Sequence, residues 1–279
     1  MSIHSFYSDV RTIYDVIKIG TKLDNYWFRG HTKDFGTLVP GAYRLENLGM
    51  LYSSYEHRIT EEFQRQAPAL SSYIPEELNY LEWLFIMQHY GCPTRLLDWS
   101  QNVLVAIYFA VKEHFNWDAE LWCIDPFRLN EESIRKPFVA GTNNDSVIAL
   151  ASDAFKRTDE IRKKNKLKTD MIDGPISLFP PMRFPRMINQ SSVFTIHPFP
   201  DSDHESNLKS IEALLVMPFI CRYRIPKSRK KPLLKELNSI GINEHNLFPD
   251  LDALSKSIRT QIERDKLGNY EELEPHKFD

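Results

Sequence analysis

Nine residues from Val103 to Val111 (VLVAIYFAV) are apolar on every helical face, with the Tyr108 hydroxyl as the one polar group. A helix of that kind lies inside a core rather than on a surface. Just before it, Gln88 to Ser100 (QHYGCPTRLLDWS) gathers Gln88, His89, Thr94, Arg95, Asp98 and Ser100 around Gly91 and Pro93. A polar loop and a short strand at Leu96-Leu97 therefore feed directly into a buried helix. That arrangement holds functional side chains rigidly at the edge of a core. The same spacing also suits a loop in which Arg95 and Asp98 do no more than pair and cap.

The remaining pattern predicts a mixture of helices and strands. Val10, Ile13, Tyr14 and Ile17 have helical spacing and predict an opening helix over 8–18 with those residues inward. Tyr26-Trp27-Phe28 reads as a strand entering Arg29-Gly30, and His31 to Arg44 as a loop. Tyr55, Ile59 and Phe63 give the inner face of a helix over 54–66, with Glu56, Arg58, Glu61 and Glu62 outward. Glu56 also lies early enough in that helix to turn towards an arginine. Pro75 opens a largely buried helix through Met87, and Gly91 ends it in the left-handed conformation. Leu121 to Ile124 is a strand stopped by Asp125-Pro126, residues 131–145 are irregular, and 146–164 are helical, running into the basic stretch Arg162–Lys168. Four prolines make Pro175 to Pro185 an extended segment excluded from a sheet interior. Arg186 to His197 has strand composition with a polar first half. Leu214 to Ile225 is a strand kinked or at an edge at Pro218, with Arg222 and Arg224 on one face. Pro232 starts a helix stopped by Gly241, and Asp250 caps a last helix with Leu251, Leu254, Ile258 and Ile262 inward. The expectation is a single mixed α+β domain over 1–279, with its core at about 21–262.

Composition narrows the chemistry. A net charge of −3 exerts no global pull on nucleic acid or anionic lipid, so any such contact requires a local patch. Three separated cysteines without a CxxC, and nine histidines without HxxxH or HExxH, argue against a zinc site or disulfide framework. The first residues lack the basic-then-apolar layout of a signal peptide, and no apolar run reaches the ~20 residues that span a bilayer. A cytoplasmic protein with no metal and no membrane partner is expected. There is no GxGxxG, no GKS/T loop and no GxSxG elbow, which removes Rossmann, P-loop and ordinary serine-hydrolase readings.

Within these bounds the candidate site residues suit a nucleotide. Arg29 offers a planar fork for phosphate or ribose, and Gly30 admits a close approach of backbone or ligand. A strand-end arginine that merely pairs with a carboxylate fits the same residues. Tyr26, Trp27, Tyr43, Tyr90 and Trp99 can wall or stack on a ring. Thr94 and Ser100 can bond sugar hydroxyls, Arg95 adds a second cation, and Asp98 is the best-placed carboxylate. His89 fits either a base or a satisfied structural residue in the last turn of its helix.

The chain resembles the FRG-domain family, through Phe28-Arg29-Gly30, Glu56, Phe63, the run Gln88 to Ser100, Ala106, Tyr108, Phe109, Ala110, Arg186, Gln190, Phe194-Thr195 and Leu247 to Leu251. These blocks extend from about Tyr26 to Ile258. After Gln190 that family usually has a glycine, where this chain has Ser191-Ser192. A more distant likeness is to ADP-ribosyltransferases of the Arg–Ser–Glu type. It implies a split antiparallel sheet with flanking helices, NAD as co-substrate, and a site made by Arg29, Gly30, Tyr43, Thr94, Arg95 and Ser100 with His89, Asp98 and Gln190 as catalytic candidates. Gln190 stands where the third motif has glutamate, and an amide supplies no negative charge. The resemblance implies an NAD-dependent transferase or NAD glycohydrolase, in the manner of a toxin or phage-defence effector, acting on a protein or nucleic-acid acceptor. Two other readings stay open: a nucleotide-sensing or adaptor domain without turnover, and a nuclease or RNA-binding protein using His89, Arg95 and the Arg162–Lys168 run.

Overall fold

Among the described residues, six strands, all antiparallel, hydrogen-bond in the order β4-β5-β2-β1-β3-β6. They are β1 (Trp27–His31), β2 (Leu96–Ser100), β3 (Ala119–Ile124), β4 (Ile176–Leu178), β5 (Ser192–Ile196) and β6 (Ile220–Ile225). The helices are α1 (Ile13–Lys22), α2 (Tyr52–Gln66), α3 (Tyr80–His89), α4 (Val103–Val111), α5 (Pro126–Ile134), α6 (Asp145–Ser152), α7 (Pro185–Asn189), α8 (Lys227–Ser239), α9 (Glu244–Leu247) and α10 (Leu251–Lys266). This computed structural model describes residues 7–36, 38–44, 52–71, 73–75, 79–152, 172, 174–199 and 219–266. The basic run 162–168, the loop beyond 200 and Pro218 lie outside the described residues.

The strand period sends alternate residues to two faces. On one face, α4 covers β1 and β3, burying Phe28, Leu121 and Cys123 beneath Ala106, Ile107 and Ala110. Further along that face, α3 and α6 cover β2, β4 and β5 through Leu84, Phe85, Leu150, Leu96, Ile176 and Phe194. Trp27, Leu97, Trp99, Trp122, Ile124 and Val193 fill the opposite face under Leu129 of α5. α4 starts where the Asn102 side chain accepts the Leu104 N–H at 2.9 Å, and it lies deep in the core as its uniform apolarity demands.

The two halves of the sheet barely pair. β1 and β2 share one residue pair, Phe28 with Ser100, whereas β1 meets β3 at five positions and β2 meets β5 at five. The strands then diverge, so the mixed α+β expectation holds and the antiparallel sheet opens at its centre.

Several local expectations are corrected. Thr12 and Asp15 form a capping box, so α1 begins only at Ile13. Residues 7–10 instead lie along β6, with the Tyr7 and Val10 N–H groups donating to the carbonyls of Arg222 and Arg224 at 2.8 and 2.7 Å. The shifted start turns Val16 and Ile19 inward and leaves Tyr14 and Ile17 exposed. α2 buries Glu56 and Thr60 completely, because Glu56 meets the buried Arg95. α3 starts at Tyr80 under the Asn79 cap rather than at Pro75. Asp125-Pro126 ends β3 and also opens α5, with Asp125 as cap and Pro126 in the first turn, so part of the supposedly irregular stretch is helical. Residues 186–189, expected in a strand, join Pro185 in the short helix α7. Pro232 sits inside α8 rather than at its start. Leu254, Ile258 and Ile262 of α10 are exposed, while Ala253 takes the inner position. The proline-flanked segment is extended as expected and stays out of the sheet interior, contributing only the edge strand β4.

Gly30 is fixed by packing. A Cβ there would stand 2.0 Å from the Ala106 carbonyl and 2.6 Å from the Ala110 nitrogen, both backbone atoms of α4. The expected close approach is therefore of helix to strand. Gly30→Ala should cost about 3 kcal/mol, the upper end of overpacking penalties, seen as a lowered midpoint in denaturant unfolding. An unchanged midpoint with altered ligand binding would show instead that the glycine makes room for a ligand.

Candidate functional site

Where β1 and β2 part, a cleft of about 360 Å³ opens. Arg29, Gly30 and His31 line it from β1, Asp98 to Ser100 from β2, Ala106 and Phe109 from α4, and Arg186, Gln190 and Ser192 from the α7–β5 corner. Arg44 and Lys112 reach it as well, and Phe28, Phe35 and Phe109 give it an apolar wall.

Arg29 is held on two sides. Its Nε–H donates to His31 Nε2 at 3.2 Å, and Nη1 donates to the Asp98 carbonyl at 2.6 Å. The Asp98 carboxylate is 3.9 Å from Nη1. Nη2 makes no hydrogen bond among the described residues. Burial draws the Arg29 guanidinium down to about 10, with Asp98 opposing that effect. Burial lowers Arg44 and Arg186 too, again against the pull of Asp98. Arginine keeps its charge in proteins, so three desolvated cations surround one carboxylate, and Lys112 adds a fourth positive group. Such a site attracts an anion that can replace the lost water.

Asp98 is itself oriented. Gln88 Nε2 donates to its Oδ2 at 2.6 Å, and the Thr94 hydroxyl donates to Gln88 Oε1 at 2.6 Å while accepting the Leu96 N–H at 3.1 Å. His89 stacks flat on Phe184 with ring centroids 3.9 Å apart. It lines a smaller recess that shares Gln88, Asp98, Arg186 and Gln190 with the main cleft. Burial, then nearby Arg186, lowers its pKa, so the imidazole is neutral at physiological pH.

Arg29, Gly30, Asp98, Ser100 and Gln190 thus come together, with His89 alongside. Some of these groups are already engaged. Ser100 Oγ donates to the Gln190 carbonyl at 2.7 Å and accepts the Asn102 N–H at 3.0 Å. Gln190 Nε2 donates to the Leu247 carbonyl at 2.9 Å. Ser191 has φ +47°, the left-handed region where glycine is at ease. A tight corner, rather than approach to a ligand, explains a glycine preference there.

Three expected residues lie outside the cleft. Arg95 is fully buried, 3.0 Å from Glu56, bonded to the Leu150 carbonyl and stacked 4.0 Å over Phe199. Thr94 is fully buried and commits its hydroxyl to Gln88 and Leu96. Tyr43 points its hydroxyl at the Pro198 carbonyl, 2.9 Å away. Of the proposed ring-stacking residues, Trp27 is core, Tyr90 is on the surface and only Trp99 borders the cleft. His31, Arg44, Arg186 and Lys112 were given no site role from the sequence; an arginine directly after Tyr43 and another just before the polar 189–192 stretch were the available signals.

The fold and cleft define an α+β protein with a cationic pocket at the centre of an antiparallel sheet. Residues 24–119, which hold β1, α2, α3, β2 and α4, match the FRG domain. Arg186 and Gln190, which complete the cleft, follow that span. No curated protein and no solved structure matches the chain. Among the described residues, no helix is long and apolar enough to cross a membrane, and no three His, Cys, Asp or Glu side chains gather as a metal site.

Two buried imidazoles make stability depend on pH. Burial holds His31 at about 4, and burial with Arg29 and Arg95 nearby holds His197 at about 3. Unfolded histidine titrates near ~6.5, so the unfolded chain binds more protons as pH falls from there towards these values. Stability present above ~6.5 is lost through that window, on the order of a few kcal/mol per group. The melting temperature should fall between pH 6.5 and 4, and the His31→Gln/His197→Gln variant should have a shallower slope. Equal slopes in parent and variant would contradict this.

Proposed function

We propose that the cleft binds a phosphate-bearing nucleotide, with NAD as the ligand, and that the protein is an ADP-ribosyltransferase-like enzyme or NAD glycohydrolase. The observation that carries this reading is the convergence of Arg29, Arg44 and Arg186 on one oriented carboxylate, Asp98, in the opened sheet. Arg29 Nη2, with Arg44 and Arg186, suits a pyrophosphate, and the Phe28–Phe35–Phe109 wall suits a ring. The likeness of β1, β2 and α4 to the first two motifs of the Arg–Ser–Glu transferases supports the same assignment.

In the proposed reaction the bond between nicotinamide and ribose C1′ breaks, and nicotinamide leaves with the electron pair. Positive charge develops on the sugar and is stabilised by Asp98, in the role a glutamate has in those transferases. An acceptor oxygen or nitrogen, from water, protein or nucleic acid, bonds to C1′. Its proton passes to the neutral His89. A second reading, nucleotide binding without turnover, is favoured by one observation: the Gln190 amide is engaged by the Leu247 carbonyl.

Calorimetry with NAD and an assay for released nicotinamide test both. Arg29→Ala should weaken NAD binding at least ~10-fold, the cost of losing the charge-assisted hydrogen bond from Nη2. Asp98→Asn should retain binding and lose most nicotinamide release. Binding without release in the parent protein would select the second reading. Absence of binding to NAD, ADP and ATP would overturn the nucleotide assignment.

A further inference from the structure

We propose that His31 is a positioning residue that aims Arg29 into the cleft, as the central member of a chain running from Arg222 through Glu120 and His31 to Arg29. The role for Arg29 as ligand anchor rests on the reading above; the positioning of its guanidinium does not.

The strand register builds the chain. His31 lies opposite Glu120, Arg29 opposite Trp122, and Trp122 opposite Arg222, so all these side chains project from the same face of β1, β3 and β6. Glu120 is almost fully buried, and each of its oxygens is engaged. Arg222 Nη1 donates to Oε1 at 3.2 Å and Trp122 Nε1 donates to Oε2 at 3.0 Å. Oε2 is also 3.6 Å from His31 Nδ1. A carboxylate there favours the Nδ1–H tautomer, which leaves the Nε2 lone pair to accept Arg29 Nε–H at 3.2 Å.

Two fixed points then set the plane of the guanidinium: His31 Nε2 at Nε and the Asp98 carbonyl at Nη1. Nη2 remains for a ligand. Protonating His31 would replace an acceptor with a donor and set two cations face to face. The charged groups around His31 are Arg29 on its own strand, Glu120 on β3 and Arg44 from the turn at Gly41–Arg44. Phe35 and Trp122 stand edge-on to the imidazole at 5.3 and 6.2 Å and keep water away from it.

Two measurements test the chain. The first needs no ligand: ¹⁵N NMR of the histidine rings and arginine Nε–H groups. Neutral His31 in the Nδ1–H form, together with an Arg29 Nε–H protected from exchange, is expected; an Nε2–H tautomer or an imidazolium at pH 6 would overturn the proposal, whatever the protein binds. The second compares ADP binding by calorimetry at pH 7.5 in folded variants. His31→Phe fills the space without an acceptor and should weaken ADP at least tenfold, while His31→Gln, which offers an amide oxygen to Arg29 Nε–H, should recover most of that loss. Equal affinities in parent and His31→Phe would overturn the proposal. A parent that binds no ADP but shows the expected NMR signature would remove the nucleotide reading and leave the positioning role standing.

Discussion

One missing stretch of strand pairing shapes the molecule. If the register at Phe28 and Ser100 continued, Gly30 would lie opposite Asp98. The Asp98 carbonyl instead accepts from Arg29 Nη1, so a side chain replaces a ladder hydrogen bond and the central strands separate. Each half is anchored elsewhere. Gly30 presses β1 onto the α4 backbone, and β3 and β6 extend that half. Arg95, with Glu56 and the Leu150 carbonyl, ties the start of β2 to α2 and α6. A buried pair of this kind costs several kcal/mol to break, because the remaining charge stays desolvated. The parting of the strands is therefore held open by packing on both sides.

Charge follows from the same geometry. The cations at the edges of the opened sheet are partly desolvated. Arg29, Arg44 and Arg186 keep their charge against burial because Asp98 stands among them. Asp98 in turn is oriented by Gln88, and Gln88 by Thr94. Thus Thr94 influences the cleft without touching it, through two successive hydrogen bonds.

Much of this was legible in the chain. Uniform apolarity identified α4, and Gly91, with φ +83°, stops α3 where its position after the apolar run placed it. Arg29 and the Gln88–Ser100 run share a cleft although they are distant in sequence. The errors came from residues whose environment is set by partners far along the chain. Glu56 reads chiefly as part of an outward helix face and Arg95 as a site residue or a partner of Asp98, since nothing local reveals that Arg95 and Glu56 neutralise each other in the core. Lys230 is fully buried too, its ammonium bonded to the carbonyls of Thr32, Glu113 and His114, though its neighbours suggest a solvated helix face. His31 carries no local strand signal, because its strand character depends on pairing with Glu120 of β3. Asp-Pro at 125–126 carries both a strand stop and a helix start, and the reading took only the first.

The central claim is that the opened sheet is a phosphate site. A crystal structure of the protein with bound ADP tests it most directly. The account predicts a phosphate within ~3 Å of Arg29 Nη2, at hydrogen-bonding distance, lying between β1 and β2 and flanked by Arg44 and Arg186. ADP bound in another depression, such as the apolar groove of Phe63 and Trp83, with the cleft between β1 and β2 holding only water, would contradict it.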